Sequence, residues 1–336
     1  MAHQKALFVE VSEWEVDHLK QCLPHIPCEM FEGRLEDYKR NLADVTILST
    51  FINSKIDKKA LERLPHVNLL VTRSMGFDHI DVAECRRRRI AISYVPAYGE
   101  STVAEHAMAL LLAISRKLPE SLERTRTGQF DFTALRGFDL NGKILGIIGT
   151  GRIGLHVAKI AKGFGMTVIG FDAYPNKEQA EKIGLLYVTL DQLLKSSDAI
   201  TLHLRLNKET THIIGEDEFG KMKKGVILIN TARGALIDTE AFLRALDDGT
   251  VKAAGLDVLE EENLLKEEHE LLSSDASQKQ LRVALENTLL LKRPNVLVTP
   301  HNAFNSDEAV ARIIQTTADN IETYLAGHPQ NMVTEQ

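Results

Sequence analysis

Lys143-Ile144-Leu145-Gly146-Ile147-Ile148-Gly149-Thr150-Gly151-Arg152-Ile153-Gly154 is an apolar run that feeds directly into the spacing G-x-G-x-x-G. The run predicts a buried strand, and the glycines predict the turn by which that strand enters a helix. Gly149 permits the tight turn, Gly151 lets the backbone approach a pyrophosphate, and Gly154 allows the helix to pack closely on the strand. The first N–H groups of the helix have no intrahelical partner and sit at the positive end of its dipole, so an anion binds there without a basic side chain. A glycine-rich turn with no ligand would show the same spacing, so context has to separate the two readings. Met166 to Asp172 reads as a second strand that ends in an acid 18 residues past Gly154. A carboxylate there accepts from a ribose 2′-OH and repels a 2′-phosphate, which points to NAD and away from NADP. The plainer alternative is an aspartate that caps the next helix.

At 336 residues the chain is long for one core, and two domains are expected. With 44% hydrophobic and 26% charged residues it has the composition of a globular protein, and a formal charge of −7 argues against a general nucleic-acid binder. The basic run Arg86-Arg87-Arg88-Arg89 precedes the strand-like Ile90 to Val95 and reads as a solvated helix end. Cys22, Cys28 and Cys85 follow no C-x-x-C spacing, so neither a disulfide framework nor a zinc site is encoded, and no metal is expected. The polar start of the chain, followed by the short Ala6-Leu7-Phe8-Val9, lacks a signal-peptide core. No stretch approaches the roughly 20 apolar residues of a membrane span, so a cytoplasmic location is expected.

Short apolar strands at Ala6 to Val11, Val45 to Thr50, Asn68 to Thr72 and Ile90 to Val95 alternate with helix-like stretches, which predicts a parallel sheet. The loops Phe51-Ile52-Asn53 and Arg73 to Asp78 then lie at carboxyl ends of strands, where ligands bind in such sheets. Thr102 to Leu118 predicts a helix apolar nearly all round, capped by Ser101 or Thr102; it reads equally as an interdomain core helix or a subunit interface. A second alternation follows, with strands from Ile144, Thr167 to Asp172, Asp198 to Leu204, Val226 to Asn230, Ala253 to Val258 and Asn295 to Thr299. The charged stretch 263–292, with Leu264 to Glu268 and Leu281 to Leu291, looks helical and reads as a surface excursion. Ser306 to Leu325 is an amphipathic helix whose apolar positions include Ile313, Ile314, Ala318, Ile321 and Leu325, and it is expected to return to the N-terminal sheet.

Three polar groups stand at strand ends in the second half: Arg233 in Asn230-Thr231-Ala232-Arg233-Gly234, Glu262 after Asp257-Val258-Leu259-Glu260-Glu261, and His301 in Thr299-Pro300-His301-Asn302-Ala303-Phe304. Reduction of a 2-keto acid needs this set. An arginine binds the carboxylate and polarises the ketone, a histidine delivers the proton that accompanies the hydride, and a neighbouring carboxylate favours the protonated imidazole. The cofactor supplies the hydride.

On the motifs Gly149 to Gly154 with Asp172, Asn230 to Gly234, Gly255-Leu256-Asp257-Val258 and Pro300 to Phe304, nearly the whole chain resembles the D-isomer-specific 2-hydroxyacid dehydrogenase family. The resemblance implies an α/β fold of two doubly wound parallel-sheet domains. One is a discontinuous flavodoxin-like substrate domain (1–100 plus 302–336), and the other is a Rossmann NAD-binding domain (101–301). It implies Arg233, Glu262 and His301 as the catalytic residues. It also implies substrate contacts from Phe51, Met75, Gly76, Tyr98, Arg233 and Phe304, and cofactor contacts from Gly149, Gly151, Arg152, Ile153, Gly154, Asp172, Leu204, Arg205, Thr210, Thr231, Ala232 and Asp257. Two departures stand out. Arg205 replaces the usual proline and leaves room for NADP, and Glu262 is followed by Asn263 where the family has proline, which bears on the choice between Glu260 and Glu262. The expected activity is reversible NAD-dependent reduction of a small, pyruvate-like 2-keto acid by a homodimer joined through the cofactor domain. The alternatives are a glyoxylate or hydroxypyruvate reductase, or an NAD(H)-sensing corepressor-like protein on the same fold.

Overall fold

The computed structural model describes residues 4–262 and 278–334, and they form two compact units, 1–98 with 305–336 and 99–304. Each is built on one sheet in which every strand pair is parallel.

In the first unit β1 (Ala6–Val9), β2 (Cys28–Phe31), β3 (Ile47–Thr50), β4 (Leu69–Thr72) and β5 (Ala91–Ser93) lie in the order β2-β1-β3-β4-β5. This is the flavodoxin-like order. β1, β3 and β4 are buried at every position, as strands covered by helices on both faces must be. β2 is not legible in the sequence: Cys-Glu-Met-Phe is an edge strand, half-buried at all four positions and without a period. The helix Asp307–Leu325, capped by the Ser306 hydroxyl, packs against the helix Glu13–Cys22 and against β4. Its buried stripe includes Ile313, Ile314, Ala318 and Ile321, whereas Leu325 is exposed. Beyond it, Val333 N–H donates to Ile92 O and so ties the chain end to β5.

The second unit orders its strands β12-β11-β10-β9-β6-β7-β8, with β6 (Ile144–Ile148), β7 (Thr167–Phe171), β8 (Leu186–Tyr187), β9 (Ala199–Leu202), β10 (Val226–Asn230), β11 (Val251–Leu256) and β12 (Val296–Val298). Counted from β6, this is the Rossmann order 3-2-1-4-5-6 with one more strand at the β12 edge. The two-residue β8 is too short to carry a pattern. The helix that the sequence starts at Thr102 begins at Glu100, with Gly99 as its N-cap and no side-chain cap, so neither Ser101 nor Thr102 caps it. It ends at Ser115, because Lys117 turns left-handed (φ 49) and starts a second helix, Leu118–Arg126. The first of these helices buries Ala104, Ala107, Met108, Leu110 and Leu111 against the helix Arg152–Gly163 and against β10 and β11. Leu264 to Glu268 lie outside the described residues; Gln278–Leu291 is helical and packs on the helix Thr239–Asp247 and on β12.

Two loops at the carboxyl edge of the first sheet depend on buried Arg73 and on the neighbouring Glu10 carboxylate. Arg73, fully buried just past β4, donates from Nη2 to Val9 O (2.9 Å) and Glu10 O (2.6 Å) and from Nη1 to Ser49 Oγ (3.1 Å). Glu10, left-handed at φ 59, accepts from Thr50 Oγ1 (2.9 Å), Asn53 N (2.8 Å) and Ser54 N (2.9 Å). Burial pushes the Glu10 carboxyl up, but these donors and the Arg73 charge outweigh it and hold the group below the ordinary carboxylate value. A depressed carboxyl stabilises the fold above its unfolded pKa, and this contribution is lost as pH falls through the folded value. Arg73→Met leaves the carbonyls of Val9 and Glu10 without their buried donor and removes the charge that favours ionised Glu10, so a loss of about 1 to 3 kcal/mol is expected in urea unfolding at neutral pH. The deficit should shrink on acidification, and one that stays constant with pH contradicts the role of that charge.

Candidate active site

The glycine turn is shaped as its sequence requires. Gly149 is left-handed (φ 92), and a Cβ there would stand 2.7 Å from the His203 carbonyl carbon; a Cβ on Gly154 would stand 2.1 Å from Gly149 O. Gly151, in contrast, has nothing within 4 Å of where its Cβ would be, so the backbone facing the helix Arg152–Gly163 lies open. Asp172, just past β7, accepts from Thr150 N (2.6 Å) and Thr150 Oγ1 (3.1 Å) on one oxygen and from Tyr174 N (2.9 Å) on the other. A carboxylate has about four lone-pair positions, so this fixes its orientation and leaves capacity for a ribose diol.

Two buried side-chain atoms near this turn, His203 Nδ1 and Thr231 Oγ1, have no partner among the described residues. Burial holds His203 down to about 3, so it is neutral, and its Nε2 meets Thr201 Oγ1 at 2.8 Å. An open glycine face, an oriented acid and orphaned polar atoms fit a bound dinucleotide. Thr210 Oγ1 donates to Arg205 O (2.7 Å) and shapes the loop after β9, while the exposed Arg152 pairs with Glu100 (3.0 Å). Leu204 and Ala232 pack against the core cluster of this unit, and Ile153 packs on its other face.

Asp257 differs from an exposed cofactor ligand. It is 1% exposed, and its carboxylate accepts from Thr299 Oγ1 (2.5 Å), Asn302 N (3.0 Å) and Ala303 N (2.8 Å). Its direct work is to anchor the loop that carries His301. His106 Nε2, 3.0 Å from Thr299 Oγ1, joins this cluster from the helix Glu100–Ser115.

The turn after β10 is held by buried Asn230, which donates from Nδ2 to Arg233 O (2.9 Å) and accepts from Ala232 N (3.0 Å). Gly234 lets this turn press on the run after β11, since a Cβ there would stand 2.0 Å from the Leu259 carbonyl carbon. His301 is left-handed (φ 54), and its Nδ1 lies 2.5 Å from Glu262 Oε1. Glu260 faces elsewhere, with Oε1 on His212 Nε2 and Oε2 on the Thr239 hydroxyl, both at 2.8 Å. The structure therefore brings together His301 and Glu262, with the Arg233 turn packed against the same run. With Nδ1 held by a carboxylate, Nε2 is the ring nitrogen that can exchange a proton.

Phe51, Met75, Gly76 and Tyr98 belong to the first unit, half-buried past β3, β4 and β5, while Phe304 is the last residue of the second. Ser74 Oγ donates to Gly76 O (2.6 Å), and Arg312 Nε donates to Tyr98 O (2.7 Å). Asn230 and Thr299 stand at strand ends, whereas His212, in the loop after β9, and Thr239, at a helix start, support the loops without any sequence signal. Among the described residues no group of His, Cys, Asp and Glu could hold a metal, and no helix is long and apolar enough to cross a membrane.

Residues 108–303 match the family model of the D-isomer specific 2-hydroxyacid dehydrogenase NAD binding domain. The chain is 37% identical over 300 residues to a glyoxylate reductase of Thermococcus litoralis (87% of this chain, 84% of that one). It is 37% identical over 279 residues to a D-lactate dehydrogenase of Escherichia coli (82% of each). A crystal structure of D-lactate dehydrogenase from Aquifex aeolicus complexed with NAD and lactic acid is similar at a TM-score of 0.86 and 34% identity, covering 96% of each chain.

The Asp172 carboxylate predicts a preference for NADH over NADPH in steady-state kinetics. Asp172→Ser removes a charge that would face a 2′-phosphate, so kcat/KM with NADPH relative to NADH is expected to rise on the order of 10-fold or more. An unchanged ratio would show that the carboxylate does not discriminate.

Proposed function

This chain belongs to the D-isomer-specific 2-hydroxyacid dehydrogenase family of NAD-dependent oxidoreductases, and within it we propose that it reduces a small, pyruvate-like 2-keto acid to the D-2-hydroxy acid, reversibly. The observation that carries the proposal is the contact of His301 Nδ1 with Glu262 Oε1 at 2.5 Å on a loop next to the Arg233 turn.

NADH, when bound, supplies the hydride to the carbonyl carbon. Gly149, Gly151 and the first turn at Arg152 hold the dinucleotide's phosphates, and Asp172 holds its ribose. Arg233 binds the substrate carboxylate and draws electron density onto the ketone oxygen. His301 delivers a proton from Nε2 to that oxygen, so C=O becomes CH–OH; in the reverse direction the same nitrogen takes the proton back. Glu262 holds Nδ1 and so fixes the ring with Nε2 free to exchange the proton. We assign the unit 99–304 to the cofactor and the unit 1–98 with 305–336 to the substrate. By the family resemblance Phe51, Met75, Gly76 and Tyr98 of the first unit, and separately Phe304 of the second, are proposed as substrate contacts. The glyoxylate reductase name of the Thermococcus litoralis relative makes glyoxylate the principal competing substrate.

Pyruvate and 2-ketobutyrate are expected to exceed branched and phenyl keto acids in kcat/KM, with a graded decline of about 1 to 3 kcal/mol per methylene. Turnover of phenylpyruvate above pyruvate contradicts the small pocket, and strict preference for glyoxylate selects the competing reading. Arg233→Ala and His301→Ala should each lower kcat/KM on the order of 10² or more. For Glu262→Gln, the pH profile of reduction is expected to change, because His301 loses the carboxylate that holds its Nδ1.

We also propose a homodimer in a reducing, cytoplasmic setting. Leu118 (46% exposed), Leu122 (54%), Phe130 (85%) and Phe132 (85%) place large apolar groups at the surface of one segment of the second unit, and Cys22, Cys28 and Cys85 are all free thiols. Sedimentation of the Phe130→Glu, Phe132→Glu double variant should show a monomer where wild type is a dimer. A monomeric wild type overturns the assembly.

A further inference from the structure

Glu260, Glu261 and Glu262 are three identical acids in a row, yet only one of them reaches His301. Side-chain chemistry cannot choose among them; the backbone path must. We propose that His212 and Glu260 form a positioning pair that sets this path and so keeps Glu262 on His301. The proposal rests on the reading of His301 and Glu262 as the proton-delivering pair.

Glu260 is held at three points. Its carboxylate accepts from His212 Nε2 and from the Thr239 hydroxyl, both at 2.8 Å, and its carbonyl accepts from Asn287 Nδ2 at 2.6 Å. Its side chain is 11% exposed, so the contact with His212 is shielded from solvent far more than a surface pair. The next residue, Glu261, is left-handed at φ 52, which reverses the chain and turns Glu262 to the other side. That conformation costs a non-glycine residue free energy and persists only where its neighbours are fixed. Leu259 N–H, 3.3 Å from Glu262 Oε2, closes the bend from within.

His212 is itself over-determined. It too is left-handed (φ 53), its N–H donates to Ala235 O at 2.8 Å, and its Nδ1 lies 3.5 Å from Asp238 Oδ2. Asp238 in turn caps the helix Thr239–Asp247 through Ala241 N (2.8 Å). Ala235 belongs to the 3-10 turn Gly234–Leu236, directly behind Arg233. One histidine thus grips the turn that presents Arg233 by its backbone and the run that presents Glu262 by its ring. The charged groups facing that ring are Asp238 and Glu260. His212 and Glu260 act through Glu262 and are positioning residues.

The test measures kcat, KM for pyruvate, the pH profile of reduction, NADH affinity by fluorescence and Tm for His212→Ala, Glu260→Ala, Glu260→Gln, Glu260→Asp and Glu262→Gln. A displaced Glu262 is expected to lower kcat by on the order of 10- to 100-fold in the two alanine variants. Their pH profiles should shift in the direction of Glu262→Gln, with NADH affinity at the wild-type level. Glu260→Gln keeps an oxygen for His212 and should recover most of kcat. Glu260→Asp, which keeps the charge but shortens the reach, should show the shift even where the alanine variants are unstable. Lowered Tm with a wild-type pH profile and kcat overturns the pair while leaving the site intact. A wild-type profile in Glu262→Gln overturns the site reading itself, and the pair with it.

Discussion

Every strand pair in the two sheets of the described residues is parallel, and that constraint decides where chemistry can reside. A parallel pair needs a crossover that returns the chain to the starting edge, so all strand ends of one sheet deliver their loops to one side. In the second unit the order β12-β11-β10-β9-β6-β7 therefore lines up His301, Glu262, Arg233, His203, the glycine turn and Asp172 along a single edge. Neighbouring strands lie about 4.8 Å apart, which puts the three proposed catalytic groups on strands spanning about 10 Å. The glycine turn falls between β9 and β7, where the strand order reverses and a crevice opens. Acid–base groups thus collect at one end of the edge and nucleotide-binding groups at the other.

Loops at such an edge do not hold their own shape, and buried polar side chains do it for them. Asn230 closes the Arg233 turn, Asp257 gathers Thr299, Asn302 and Ala303 beneath His301, and Glu10 with Arg73 fixes the ends of β3 and β4 in the first unit. A buried polar group is costly when unpaired and modestly stabilising when satisfied. Losing any one of these partners therefore removes a contact and also strands a desolvated charge or amide. This asymmetry makes the loops rigid in one geometry.

What the sequence reveals follows from where the apolar pattern is strong. Fully buried strands such as Val226–Asn230 read directly, because both faces demand apolar residues. Edge strands Cys28–Phe31 and Leu186–Tyr187 do not, since one is half-buried throughout and the other spans two residues. The start of the helix at Glu100 escapes because Gly99 caps it without a side chain, while Ser101 and Thr102 already lie inside its first turn. Arg233, Glu262 and His301 are legible as residue types at strand ends. Their supports are not: His212 and Glu260 are 48 residues apart, and the partners of the Asn230 side chain are backbone atoms that no residue pattern encodes.

A nucleotide sensor on this fold would need the glycine turn and Asp172 and little else. The chain instead sustains non-glycine left-handed conformations at His212, Glu261 and His301, each of which costs of order 1 to 3 kcal/mol. Glu261 and His301 lie in the two loops that set one imidazole against one carboxylate at 2.5 Å, His212 lies in the loop that holds Glu260, and none lies in the glycine turn. Strain of this kind is retained only where surrounding hydrogen bonds over-determine it, and here those bonds converge on the run 257–262 and the loop 299–303. Binding a dinucleotide gives no return on such an arrangement, because the phosphates and ribose are met at the other end of the sheet edge. Moving a proton does, since a general acid must be aimed as well as charged. The strain held around His301 and Glu262 therefore favours catalysis over sensing.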